Sequence, residues 1–245
     1  MKEHPVRILV VNVNTTVEMT RAIAAQAAEA AAPGTEIVGL TPRMGAESCE
    51  GNFESYLAAV GVVDAVQRFD QPYDAVVQAG FGEHGREALQ ELLDVPVVDI
   101  TEAAAHLAMM LGHRFSVVTT LDRTVPLIHD RLLLAGLTQH CASIRASGLG
   151  VLELEGDVSR VTDAIVQEAK RAVLEDHAEV ICLGCGGMAG LDAAVGEAVG
   201  VPVVDGVTAA VKLAESLVGL GLTTSKIRTY APPRPKKIIG WPPAG

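Results

Sequence analysis

The chain has 245 residues, 49% of them hydrophobic, a formal net charge of -11 at pH 7 and four cysteines. One large core or two modest ones can be buried at this length, and an acidic chain with no cationic cluster beyond Lys236-Lys237 is excluded as a phosphate-backbone binder, because that affinity needs many cations on one face. No apolar run approaches the roughly 20 residues of a membrane span, Met1-Lys2-Glu3-His4-Pro5 lacks a signal peptide's apolar region, and four cysteines are too few for a disulfide framework, so a cytoplasmic protein with free thiols and a small-molecule partner is expected.

Apolar runs of strand length alternate with stretches of helical period. Arg7–Val13 reads as a strand and Thr16–Ala32 as a helix. Glu36–Leu40 is the next strand, Asp74–Ala79 leads into a helix over Arg86–Leu93, and Val95–Ile100 leads into Ala103–Leu111. The second half repeats the scheme: Phe115–Thr119 before a helix from about Val125, Val180–Leu183 before Leu191–Val199, and Val201–Val204 before Ala209–Leu220. Continuous Val- and Ile-rich strands between helices predict an α/β fold whose mostly parallel sheets are covered on both faces. Past Thr229 the chain is proline-rich, and Ala231–Gly245 reads as an extended surface tail.

An internal repeat runs through this pattern. Val95-Pro96-Val97-Val98-Asp99 recurs 106 residues later as Val201-Pro202-Val203-Val204-Asp205, and the helices that follow share Ala103-Ala104 with Ala209-Ala210 and Leu107-Ala108 with Leu213-Ala214. Two similar α/β units follow. Ligands of open parallel sheets sit beyond the carboxyl ends of the strands, so a cleft between the units is the expected site.

Two glycine-rich loops stand at corresponding strand ends: Gly80-Phe81-Gly82-Glu83-His84-Gly85 and Cys185-Gly186-Gly187-Met188-Ala189-Gly190. The repeat sets Gly80 opposite Cys185. Such loops present unpaired backbone N–H groups that suit a carboxylate, an enolate or an imide oxygen. The same donors and a helix dipole would lower the pKa of Cys185 and make it a usable thiolate; the plain counterpart is a small buried hydrophobe. Cys182-Leu183-Gly184-Cys185 also has Cys-x-x-Cys spacing, but no second pair or nearby histidine completes a metal site, and Cys182 sits inside an apolar strand. Gly184-x-Gly186-x-x-Ala189 is only a loose dinucleotide fingerprint, late in the chain. Neither metal nor cofactor is expected. At the end of the first strand Asn12 and Asn14 can point amides into the cleft, as Thr119 or Thr120 can from the matching strand, while Thr15 with Glu18 has capping-box spacing. Glu83 and His84 flank Gly80 as a general acid/base pair or as solvated loop residues.

In these motifs the chain resembles the hydantoin/allantoin racemase branch of the aspartate/glutamate racemase superfamily. The carrying segments are Val11-Asn12-Val13-Asn14-Thr15-Thr16, Glu50-Gly51, Gly80-Phe81-Gly82, Val95-Pro96-Val97-Val98 with Glu102-Ala103, Leu183-Gly184-Cys185-Gly186-Gly187-Met188, Gly200-Val201-Pro202-Val203-Val204-Asp205 and Leu222-Thr223-Thr224-Ser225-Lys226, in order over nearly the whole chain. The resemblance implies two pseudo-symmetric α/β lobes, 1–98 with 208–245 and 99–207, a homo-oligomer without cofactor, and two thiols on opposite faces of the substrate. Cys185 matches the second family cysteine. Gly80 stands where the first is usual, and glycine cannot exchange a proton. Three readings answer this: Glu83, His84 or a water serves the other face of a racemase; the chain is a single-thiol decarboxylase of the arylmalonate type; or it is a disabled enzyme or binding protein. The expected enolate donors are the N–H groups of Phe81, Gly82, Gly186 and Gly187, and the expected polar side-chain contacts are Asn14 and Thr119 or Thr120.

Overall fold

The Val- and Ile-rich segments form two four-stranded parallel sheets of one topology in the computed structural model, which describes residues 5–241. β1 (Val6–Val11), β2 (Thr35–Leu40), β3 (Ala75–Gln78) and β4 (Val97–Asp99) lie in the order β2-β1-β3-β4. β5 (Phe115–Thr119), β6 (Cys141–Ala146), β7 (Val180–Leu183) and β8 (Val203–Asp205) lie in the order β6-β5-β7-β8. The helices are α1 (Val17–Ala30), α2 (Asn52–Arg68), α3 (Arg86–Leu92), α4 (Ile100–Leu111), α5 (Val125–Leu134), α6 (Val158–Glu175), α7 (Asp192–Val199) and α8 (Gly206–Gly219). β3, β5 and β7 are buried along their whole length, as strands covered on both faces must be.

The repeated Val-Pro-Val-Val-Asp segment encodes a short strand and the cap of the next helix. Asp99 Oδ1 accepts from the N–H groups of Thr101 and Glu102, and Asp205 Oδ1 accepts from those of Val207 and Thr208. This capping starts α4 and α8 three residues earlier than the apolar pattern alone predicts. The two helices are then exchanged: α4 follows the first sheet yet packs on β7, β8 and β5, whereas α8 follows the second and packs on β3, β4 and β1. They meet through small residues, and a Cβ on Gly206 would lie 2.7 Å from the Ile100 carbonyl oxygen. One apolar cluster therefore runs from Ile8 and Val10 through Ala104 and Ala210 to Val117 and Val180, joining both sheets.

Three elements lie outside the predicted alternation. β6 is a half-buried edge strand that mixes Ser143 and Arg145 with apolar residues, Gly61 interrupts the helical pattern of α2, and α6 carries charged residues on its outer face. Before the predicted tail, Lys226 Nζ donates to the Gln90 and Glu91 carbonyls of α3, and within the tail Trp241 packs beside the cluster of Leu9 and Val11. Residues 1–4 and 242–245 lie outside the described residues. Among the described residues no helix is long and apolar enough to cross a membrane.

Candidate active site

β3 and β7 occupy equivalent places, and each chain leaves its sheet two residues before Gly80 and Cys185 respectively. Between these strand ends is a cavity of about 40 Å³. Gly80, Phe81 and His84 line it from the first lobe together with Asn14; Thr119, Thr120, Cys185, Gly186 and Gly187 line it from the second.

Cys185 caps a three-residue turn of 3-10 helix, Gly186–Met188, and its Sγ accepts from the Gly187 N–H at 3.4 Å. The expected lowering of its pKa does not occur. Burial pushes the thiol up to about 11, the Gly187 N–H opposes this and the nearby Glu50 carboxylate adds to it. One short turn supplies too little dipole to offset desolvation. The far end of the loop is fixed by Asp205, whose Oδ2 accepts from the Gly190 N–H at 2.7 Å. Cys182 is fully buried in β7, and among the described residues no group of three His, Cys, Asp or Glu side chains could hold a metal ion.

Several donors assigned from sequence are already engaged. The Gly82 N–H donates to Thr101 Oγ1 at 2.8 Å and Gly82 does not line the cavity, so its amide is withdrawn from the expected enolate donors. Thr119 Oγ1 donates to the Gly184 carbonyl and lies 3.1 Å from Thr124 Oγ1, contacts that hold the β7 loop in place and leave little for a ligand. Glu83 turns away from the cavity: its Oε2 accepts from Arg131 at 2.9 Å and its Oε1 from the Gly85 N–H at 2.9 Å. The Thr15–Glu18 capping box is absent. Thr15 and Thr16 instead donate their hydroxyls to the Ala46 and Glu47 carbonyls, and Asn14 Oδ1 accepts from the Thr16 N–H. Asn14 also accepts from Asn12 Nδ2, so Asn12 is spent on structure, while among the described residues Asn14 Nδ2 has only the weak acceptor Met19 Sδ. The Thr120 hydroxyl and the N–H groups of Phe81 and Gly186 make no hydrogen bond among the described residues.

His84 differs from Glu83 in every respect. It is 5% exposed, faces the cavity, and its Nδ1 makes no hydrogen bond. Burial pulls its pKa down to about 4; the backbone of Gly82 opposes that shift and the charge of Arg131 adds to it, so the ring is neutral at pH 7.

Two cavity features escape the sequence reading. Cys49, three residues before α2, lines the cavity and donates its S–H to the Val13 carbonyl at 3.2 Å; burial, with the charges of Glu54, Cys185 and Glu50, pushes its thiol up to about 12. Val151, on the turn after β6, lines the opposite side and donates its N–H to Glu50 Oε1 at 2.8 Å, which links the lobes across the cavity. The Glu50-Gly51 motif was the available signal for this wall of the site.

Two lobes, each with a parallel sheet and flanking helices, define a fold also found in arylmalonate decarboxylase, with a TM-score of 0.57 and 20% identity over 88% of this chain and 93% of that one, a likeness of fold alone. The family pattern described as Asp/Glu/Hydantoin racemase matches residues 8–214. The chain belongs to that family. It is similar to the hydantoin racemase of Pseudomonas sp. (strain NS671), at 42% identity over 96% of this chain and 94% of the relative. It is also similar to the crystal structure of allantoin racemase from Pseudomonas fluorescens, at 73% identity and a TM-score of 0.94 over 96% of this chain and 100% of that one.

Proposed function

We propose that this chain is a cofactor-independent racemase of 5-substituted hydantoins, allantoin among them, and that Cys185 exchanges the proton on the ring's chiral carbon. The observation that carries the reading is the placement of Cys185 in the inter-lobe cavity beside unengaged N–H donors from both lobes, Phe81 and Gly186. The hydantoin C5 proton lies next to a carbonyl, so its removal puts negative charge on oxygen. Fixed N–H donors aimed at that oxygen stabilise the charge more than they stabilise the neutral ring. The Thr120 hydroxyl and Asn14 Nδ2 are the side-chain donors left to hold the ring. Burial pushes the Cys185 thiol up to about 11, so the resting side chain carries its proton. The protein is expected to work as a homo-oligomer, which the exposed Phe53, Tyr56 and Val60 on α2 support.

The test follows each allantoin enantiomer in D2O by optical rotation and by loss of the C5 proton signal. Cys185→Ala is expected to lower racemisation by at least about 10²-fold; native-like racemisation in that variant would sink the assignment. The glycine at position 80 favours one second reading, the single-thiol decarboxylase. It predicts carbon dioxide release from an arylmalonate with no C5 exchange in any hydantoin, and silence in both assays leaves a binding protein.

A further inference from the structure

The two glycine loops at the cavity are tethered to equivalent carboxylates, and the tethers differ. Gly85 and Gly190 each stand five residues after Gly80 and Cys185 respectively, and both take the left-handed backbone conformation, at φ 90° and 84°. Asp99 and Asp205 end the equivalent strands β4 and β8. In the second lobe the tether is direct, since Asp205 Oδ2 accepts from the Gly190 N–H at 2.7 Å. In the first lobe a glutamate and an arginine are inserted. The Gly85 N–H donates to Glu83 Oε1, Glu83 Oε2 accepts from Arg131 Nη1 at 2.9 Å, and Arg131 Nη2 donates to Asp99 Oδ2 at 3.3 Å.

The arginine comes from the other lobe: Arg131 is on α5, which packs on β6 of the second sheet. Arg86, in the first lobe, already pairs with Asp99 and Glu102. Among the described residues the ion pair to Glu83 is made by Arg131 alone. Asp99 also starts α4 through its Oδ1, and in that first turn Thr101 Oγ1 accepts from the Gly82 N–H at 2.8 Å. Gly82, Glu83 and Gly85 are thus all fixed through Asp99 and Arg131, while Phe81, directly before them, keeps its N–H free for a ligand.

Resting on the racemase reading, we propose that Arg131 is a positioning residue of the reaction, which sets the Phe81 N–H in register with Cys185 across the cleft. Charge develops on the enolate oxygen only as the C–H bond breaks, so the aim of a fixed donor counts in the transition state more than in the bound ground state. A displacement of about 1 Å at such a group can cost about 10²-fold in rate. A buried guanidinium suits the task, because its planar fork reaches Glu83, Glu87, Asp99 and Glu102 together, whereas a lysine ammonium is a single point of charge on a flexible stem.

Arg131→Lys and Glu83→Ala, singly and together, test this by initial rates of allantoin racemisation over a range of concentrations, at a temperature where circular dichroism shows each variant folded. Each single variant is expected to lower kcat by at least about 10-fold with KM unchanged. The double variant is expected to fall no further than the worse single one, because both break one tether. The Glu83 side chain is 46% exposed, so its truncation spares the core, and Glu83→Ala decides alone if Arg131→Lys does not fold. Native kcat in folded Arg131→Lys or in Glu83→Ala overturns the proposal and leaves Arg131 a structural cation. A raised KM at native kcat overturns it as well, by placing the effect on ring binding. A native chain that racemises no hydantoin overturns the racemase reading itself, an outcome recognised without any variant.

Discussion

Cys185 and His84 show how enclosure, more than sequence neighbours, sets the chemistry of single residues. A glycine turn suggests an activated thiolate, yet the burial of Cys185 keeps its thiol protonated. The same enclosure discharges His84, with a consequence for stability. With a folded pKa of about 4 against an ordinary 6.5, the native state binds fewer protons than the unfolded chain between these values. The contribution of neutral His84 is thus complete above pH 6.5 and is lost as pH falls towards 4, by about 3 kcal/mol in all. Urea unfolding at pH 7 and pH 4.5 checks this: the native chain is expected to lose about 2 kcal/mol more than His84→Gln over the interval, and equal losses would refute it.

At the scale of elements, the loop carrying Gly80 and His84 is held by a buried cation from the other lobe. Arg131 on α5 is 1% exposed and pairs with Glu83 at 2.9 Å, Glu87 at 2.5 Å, Asp99 at 3.3 Å and, more closely, Glu102. Burial alone would raise the Glu87 carboxyl, but Arg131 and Arg86 hold it down at about 2. One side chain thereby clamps the Gly80–Gly85 loop, α3 and the start of α4 together. Arg131→Met is expected to cost about 3–5 kcal/mol, because it leaves the buried Asp99 with Arg86, at 3.4 Å, as its one cationic partner among the described residues. Denaturant midpoints measure the loss, and a change under about 1 kcal/mol would show that the cluster is merely peripheral. Little of this network could be read from sequence. Arg131 lies 48 residues from Glu83 and 32 from Asp99, and its pattern is that of an ordinary helix cation.

At the scale of the molecule, the exchange of α4 and α8 makes the lobes one body whose cavity is only about 40 Å³. The Glu50–Val151 hydrogen bond joins the two lobes beside that cavity. On the outside, Phe53 and Tyr56 of α2 are 71% and 73% exposed and share a face with Val60. A contiguous apolar face of this kind favours contact between copies. Light scattering is expected to return a multiple of the monomer mass, reduced in Tyr56→Glu, and a monomeric native chain would refute the homo-oligomer.

The linear order of residues determined the two α/β units, their strand ends and the place of Cys185, because strand and helix periods and the Val-Pro-Val-Val-Asp repeat are local patterns that each segment carries in itself. It also showed that position 80 has no thiol. What surrounds Glu83 and His84, adjacent in sequence, was decided only by the tertiary structure. Arg131 draws the first outward, and packing against Gly80 turns the second inward. The raised Cys185 thiol, the engaged Gly82 amide and the Cys49 and Val151 walls arise likewise from burial and long-range contact, which no local pattern encodes.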